Sequence, residues 1–344
     1  MSEEVAEKPI EKTYRWKPHK RAFEEAIGYI MGRKQGTITS IRTGWPKVND
    51  AIADGVEWNS TTVIAGRPAS GKTLIKDQLI RDAFKLNKNV NFRVLEFQFE
   101  MVGRVSAMRS FSSYLDKSYK HLCSADGVIS NEDIQKCIDY AREMILNPID
   151  VADEPCTVME LRDIIVEYMM LHSVIKKDAE GKEYREFTKT IITLDHSLLV
   201  KKAPFEKDRM DTLFALGEML TALKRMFPIA FIILSQLNRE IDKPERNEEG
   251  KYGNYILESD LYGADALLQH ADTVIGVDRP GKRKLWIYGP DKYLIEDINV
   301  LIFHFLKARN GDTRLSFMKA AFHKMCVEEM DTPGTQELKI RTRP

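Results

Sequence analysis

The 344-residue sequence has no surplus of either charge: 52 lysines and arginines stand against 52 aspartates and glutamates. A zero formal balance removes any whole-molecule attraction to a polyanion, so contact with a nucleic acid has to be local. Long apolar runs are missing as well. None approaches the ~18 residues of a membrane span, and the opening MSEEVAEKPIEK lacks the apolar core of a signal peptide. No membrane partner and a cytoplasmic location are therefore expected. Cysteine is scarce: Cys123, Cys137, Cys156 and Cys326 are scattered, with no C-x-x-C pair and no matching histidine spacing. That pattern argues against a disulfide framework and against a zinc site. Repeats and low-complexity tracts are absent too. What is there is the composition of a globular chain with an ordinary core, 43 % hydrophobic and 30 % charged.

Apolar strand-like runs alternate with longer helical segments from about residue 43: TTVIAG, NFRVLEFQF, IDVAD, TIITLDHSLLV, IAFIILSQ, DTVIGV and NVLIFHFLK. Near-continuous apolar strands separated by helices predict an α/β fold with a mostly parallel sheet covered on both faces. Ahead of it, Phe23, Ile27, Ile30 and Met31 recur at helical spacing, an amphipathic helix in need of a partner surface. Residues 1–12 read as a flexible leader, 13–42 as a linker helix and connector, 43–328 as the main domain, and 329–344 as a flexible tail. Thr157 followed by Glu160 is a capping-box signature, and the polar insert KKDAEGKEYREFTK predicts an exposed hairpin or loop.

The stretch VIAGRPASGKT, residues 63–73, carries the chemistry. A strand runs into Gly66, Arg67, Pro68, Ala69, Ser70, Gly71, Lys72 and Thr73, then a helix begins: G-x-x-x-x-G-K-T in the context of a phosphate-binding P-loop. Gly66 and Gly71 permit the tight turn that aims backbone N–H groups at phosphates. Lys72 would reach the β- and γ-phosphates of ATP, and the Thr73 hydroxyl would ligate Mg2+. A second acid for the metal is Asp195, which closes the apolar strand TIITLD. A third carboxylate, Glu100, follows VLEFQF and would orient or deprotonate the attacking water. Glu96 lies nearby and strand-end acids are common, so spacing alone does not single out Glu100.

Six motifs in order, AGRPASGKT, EFQFEM, TLDHSLLV, ILSQLNRE, SDLYGADALLQHADTVIGV and LKARNG, resemble the DnaB-type replicative helicases over roughly residues 22–325. The resemblance implies a RecA-like P-loop NTPase that hydrolyses ATP with Mg2+. It also implies movement along single-stranded DNA as a homo-oligomeric, hexameric ring that opens forked duplexes. It places Glu100 where the family keeps the water-activating acid and Gln236 where a polar residue senses the γ-phosphate. Lys307 and Arg309 fall on the pair that a neighbouring subunit inserts against that phosphate. The N-terminal helix corresponds to one that packs on the adjacent protomer, the alternative being a helix folded back on its own domain. Primase, loader and polymerase are the implied further partners. The family's N-terminal helical domain has no counterpart ahead of the motor, which suggests a phage- or plasmid-like variant.

For DNA contact, the resemblance points to loops 201–211 and 239–265. There Lys201, Lys202, Lys207 and Arg209 would track phosphates. The family's DNA-gripping arginine is replaced by Tyr262, followed by Gly263; Lys251, Asn254 or backbone amides near Gly263 are the candidate substitutes. His196 stands where the family often has tyrosine, a change in packing or in what supports the site residues, without new chemistry. Two alternatives stay open: a RecA-like recombinase or mediator ATPase, and an ATP-gated DNA-binding or loading module without motor activity.

Overall fold

The computed structural model describes Trp16 and residues 18–100, 103–126, 128–246 and 254–335. The chain falls into two compact units that divide between Thr39 and Ser40, three residues ahead of the expected boundary. The smaller contains α1 (His19–Gln35), which covers the predicted amphipathic segment. Gly36 ends it at φ 73°, a left-handed conformation that favours glycine after a helix. Phe23, Ile27, Ile30 and Met31 are exposed along it.

The larger unit opens with α2 (Pro46–Ala51). Its strands are β1 (Ser60–Gly66), β2 (Phe92–Gln98), β3 (Ile149–Ala152), β4 (Ser173–Lys177), β5 (Glu183–Phe187), β6 (Lys189–Asp195) and β7 (Ile229–Gln236). Then follow β8 (Thr273–Asp278), β9 (Ile287–Tyr288), β10 (Tyr293–Leu294), β11 (Val300–Ala308), β12 (Leu315–Ala321) and β13 (Cys326–Glu329). The helices between them are α3 (Lys72–Leu86), α4 (Gly103–Leu115), α5 (Tyr119–Leu122), α6 (Asn131–Met144), α7 (Val158–Leu171), α8 (Arg209–Met226) and α9 (Ala264–His270).

Every predicted strand is present. The main sheet has nine strands in the order β13-β12-β11-β8-β1-β7-β6-β2-β3. From β8 to β3 all neighbours are parallel, while β11, β12 and β13 run antiparallel at one side. Alternation along β7 shows why the strands read as continuous apolar runs. Ile229, Phe231 and Ile233 enter one core with Leu161 and Ile165 of α7 and Leu213, Leu216 and Leu220 of α8. Ala230, Ile232 and Leu234 enter the other, with Leu74, Ile75 and Leu79 of α3. A strand covered on both faces has no polar side to alternate with.

The Thr157 capping box forms: its hydroxyl accepts from the Glu160 N–H, and the Glu160 carboxylate accepts from the Thr157 N–H at 2.8 Å. The polar insert is the β4–β5 hairpin. One boundary is corrected. Residues 329–335, expected in a flexible tail, are tied to the body: Met330 N–H donates to Phe317 O, Lys47 Nζ to Met330 O, and Leu294 N–H to Gly334 O. Upstream, Gln78 exchanges two hydrogen bonds with the Val327 backbone and the Trp45 indole N–H donates to Val327 O, so β13 is anchored to α3 and the loop before α2. Residues 336–344 lie outside the described part.

Candidate active site

The parallel direction of β1, β2, β6 and β7 delivers all four carboxyl ends to one edge of the sheet, the place where α/β folds gather ligands. The P-loop leaves β1 there. Gly66 pairs with Gln236 across β1 and β7, and Gln98 pairs with Asp195 across β2 and β6. Four sequence-distant motifs thus meet because of strand register.

The loop itself is backbone-constrained. Gly71 has φ 100° and Ala69 has φ 58°, a left-handed value that costs a residue with a Cβ on the order of 1 kcal/mol. At Gly66 a Cβ would lie 2.4 Å from Ser70 Oγ and 2.8 Å from the Val277 carbonyl oxygen, so only glycine lets the turn close against β8. The helix α3 starts at Lys72, and its first-turn N–H groups have no acceptor within the helix. Lys72 folds back over the loop, its Nζ donating to Gly66 O at 2.8 Å and to Arg67 O at 2.9 Å. Burial pushes this ammonium down to about 8, against the pull of Asp195 and Glu100. Arg67 pairs with Asp242.

Asp195 is buried, and burial pushes its carboxyl up; Lys76 opposes this first, and the Thr73 hydroxyl donates a hydrogen bond that opposes it further. A hydroxyl and a carboxylate in direct contact form the hard oxygen pair that suits Mg2+. Glu100 is exposed just past β2, close enough to Lys72, Asp195 and His196 to act on the charge of each. Glu96, its sequence competitor, is buried in the core of the unit and accepts from Lys76 Nζ at 3.1 Å and from the Gln98 side chain. The structure leaves Glu100 as the acid open to the site.

Under the P-loop lies a charge cluster that the sequence does not announce. Lys76, on α3 and 1 % exposed, also pairs with Asp77 at 2.9 Å. Burial works against its charge, but Asp77, Glu96 and Asp195 outweigh it and hold the ammonium above the usual lysine range. His196, expected to pack or to support the site, contacts the end of β7. Its Nδ1 accepts from Leu198 N–H at 3.2 Å, and its Nε2 lies 2.8 Å from the Gln236 side-chain amide. Burial, then Lys72, pushes the imidazole below its ordinary range.

Lys307 and Arg309 stand elsewhere. Because β11 is antiparallel to β8, its carboxyl end emerges at the opposite edge, with Ala308 paired to Thr273. Arg309 N–H donates to Asp272 O, whose residue in turn bonds Thr61 at the start of β1. Arg309 also pairs with Asp272 at 3.0 Å, and the Lys307 ammonium donates to Leu268 O. The seven residues of β1 separate this pair from the P-loop of the same chain by roughly 20 Å.

The family of DnaB-like helicase C-terminal domains matches residues 40–328. The chain belongs to this family. The replicative DNA helicase DnaB of Buchnera aphidicola subsp. Acyrthosiphon pisum is 25 % identical over 282 residues, covering 80 % of this chain and 55 % of that protein. DnaB of Geobacillus stearothermophilus is 24 % identical over 295 residues, 84 % of this chain and 57 % of the relative. The chain thus spans a little over half the length of these relatives. Among solved structures, an isolated ATPase domain superposes with TM-score 0.71 at 16 % identity, covering 90 % of this chain and 99 % of that domain. A DnaB-like replicative helicase, solved with attention to its interactions with primase, superposes with TM-score 0.70 at 17 % identity over 90 % of this chain and 66 % of its own. These two show a shared α/β fold, a mostly parallel sheet flanked by helices.

In this DnaB-like domain the loop residues expected at DNA separate into two groups. Lys201 and Lys207 are exposed beyond β6. Lys202 is also exposed, but its Nζ donates to Glu206 O at 2.6 Å, and the Arg209 guanidinium donates to Val200 O, so both also serve the loop's own shape. Asn254 is a correction. It is 1 % exposed, donates to Ile287 O at 2.9 Å and accepts from Gly289 N–H at 2.9 Å, a structural brace in place of the expected DNA contact. Lys251 lies outside the described residues. Tyr262 is exposed, and its N–H donates to Gln236 O, linking the loop directly to β7.

Gly263 caps α9 at φ 66°, and a Cβ there would fall 2.4 Å from Leu213 Cδ1. Gly263→Ala is expected to lower stability by about 1–3 kcal/mol through the left-handed backbone and the clash with α8. A urea titration reads this as a lower midpoint with an unchanged slope.

Among the described residues no helix is long and apolar enough to cross a membrane, and no cluster of three histidine, cysteine or acidic residues could hold a metal by itself. The four cysteines are free thiols, with Cys156 buried.

Proposed function

We propose that this chain is the motor of an ATP-driven replicative DNA helicase that assembles as a hexameric ring and moves along one strand of a forked duplex. The observation that carries the reading is the split of one catalytic set between opposite edges of the sheet. The P-loop, Asp195, Glu100 and Gln236 gather at the carboxyl edge, while Lys307 and Arg309 project from the amino edge. A chain built this way supplies half of two sites and a whole site only with a neighbour.

In such a site Lys72 and the first-turn N–H groups of α3 hold the phosphates. Thr73 and Asp195 would hold Mg2+, which supplies charge neutralisation to the phosphates when bound. Glu100 accepts the proton of the attacking water. Arg309 of the next subunit places its guanidinium against the charge that develops in phosphoryl transfer, with Lys307 beside it. Gln236 would carry a step from chemistry to DNA: its side chain touches His196, next to Asp195, and its backbone carbonyl holds Tyr262 in the loop beyond β7. Lys201, Lys202, Lys207 and Tyr262 would face single-stranded DNA in the ring channel, and α1 with its exposed apolar residues would seat on the adjacent protomer. Primase, loader and polymerase are partners of this proposed replication role.

Incubation of the protein with ATP, Mg2+ and a forked duplex bearing single-stranded tails should release the displaced strand, and the non-hydrolysable ATP analogue should not. Strand release without hydrolysis would contradict the motor. Hydrolysis indifferent to DNA, with no strand release, would favour the ATP-gated loading module.

A further inference from the structure

We infer that His196 is a positioning residue that sets the orientation of the Gln236 side chain, and so joins the metal-holding strand β6 to the strand that communicates with DNA. The inference rests on the helicase reading of Gln236 given above. The two strands are parallel neighbours, and His196 follows the last residue of one while Gln236 ends the other. The imidazole is buried and held from both sides.

The hydrogen-bond pattern fixes how it is held. Leu198 N–H donates to Nδ1 at 3.2 Å, so Nδ1 carries the lone pair and the proton of the neutral ring sits on Nε2. The end of the Gln236 amide nearest that N–H is its nitrogen, Nε2, at 2.8 Å. A donor facing an amide requires its oxygen, because the amide nitrogen has no lone pair to offer. Two donors cannot bond each other, and a half-turn of the carboxamide exchanges its nitrogen and oxygen ends; with that turn Gln236 accepts from His196 with Oε1 and points its NH2 group away from the ring. The amide of a residue that reads phosphate is pinned as a donor, in one of two orientations that differ by a half-turn. Freed from His196, either end of the amide could point at the phosphate, and the carboxamide oxygen would repel it.

Two isosteric replacements separate this role from simple capping. In His196→Asn the side-chain oxygen can still accept from Leu198 N–H, since asparagine places an acceptor where Nδ1 lies, but it is too short to reach Gln236. In His196→Gln the terminal amide reaches as far as Nε2 and can donate to Gln236, while the Leu198 bond is lost. Steady-state ATP turnover is measured with and without single-stranded DNA for wild type, both His196 variants, Gln236→Ala and the double variant His196→Asn/Gln236→Ala. Circular dichroism melts check that each is folded. We expect His196→Asn to lower DNA-stimulated kcat by about tenfold with KM for ATP within about twofold, and His196→Gln to recover most of the stimulation. In the Gln236→Ala background, His196→Asn should cost less than about twofold further, the non-additivity of two residues acting through one contact.

Wild-type stimulation in His196→Asn would overturn the inference. So would the reverse order, with His196→Asn active and His196→Gln inactive, which marks a capping role only, and so would a full further tenfold loss in the double variant. Wild-type protein with no response to DNA would instead overturn the helicase reading, and the inference with it.

Discussion

Replacing Lys72 with alanine is expected to cut ATP turnover by about 10^3-fold, in line with the loss of one pre-aimed donor to a charged transition state. The geometry gives the reason. The Lys72 ammonium is already drawn over the loop by Gly66 O and Arg67 O, within the field of Asp195 and Glu100, so a phosphate bound in the loop would find it in place. Lys72→Arg should fail comparably, because a planar fork does not fit where a compact ammonium does. Stability moves the other way. Burial depresses the Lys72 pKa to about 8, so below pH 8 the folded chain carries a charge that the unfolded chain holds more favourably. This penalty is complete below pH 8 and vanishes as the pH rises past the unfolded value. Lys72→Ala should therefore melt no lower than wild type at pH 7, which a thermal scan checks beside the turnover assay.

The second large effect lies in the charge cluster beneath the P-loop. Lys76→Met is expected to destabilise the fold by about 3–5 kcal/mol, because it leaves the carboxylates of Asp77 and Glu96 buried without their cation. Both acids are less than one-tenth exposed, and both bond the same Nζ, at 2.9 and 3.1 Å. Urea unfolding should show a lower midpoint at constant slope. The triple variant Lys76→Met/Asp77→Asn/Glu96→Gln, which removes all the charges together, should recover most of the loss. Activity should report the same cluster. Lys76 is the first of the groups that hold the Asp195 carboxyl down against its burial. Without it, that carboxyl binds its proton more tightly, and the Mg2+ needed for half-maximal turnover should rise, more so at lower pH.

Much of this was legible in the sequence because the central strands are buried on both faces. Seven apolar runs read as strands, and a strand–turn–helix context around GRPASGKT marked the P-loop without any structure. Asp195 was legible for the same reason, as a charge closing an otherwise apolar strand. The antiparallel strands β12 and β13 were not seen, since LSFMKAA and CVEE mix polar and apolar residues and border what looked like a tail. Nothing local marks Lys76 and Asp77, because Glu96, twenty residues on, comes opposite only in the fold. Asn254 looked like an exposed polar residue in a loop; its burial depends on Ile287 and Gly289, more than thirty positions away. His196 is more instructive, because its partner was not legible. A residue that read as packing or as support for the site contacts the Gln236 side chain directly, and only the pairing of β6 with β7 names that partner.

The proposed split of one catalytic set between two sheet edges is tested most directly by a mixing experiment. ATP turnover is measured with single-stranded DNA for Lys72→Ala alone, Arg309→Ala alone, and the two mixed in equal amounts and allowed to reassemble. Each variant alone should fall by about 10^3-fold, the scale of a lost phosphate-binding donor or trans-acting arginine. In the mixture, interfaces that join the intact P-loop of Arg309→Ala to the intact Arg309 of Lys72→Ala should regain up to about a quarter of wild-type turnover, as random neighbours dictate. A mixture no more active than its parts, with Arg309→Ala alone turning over at the wild-type rate, would contradict a site completed by the neighbouring subunit.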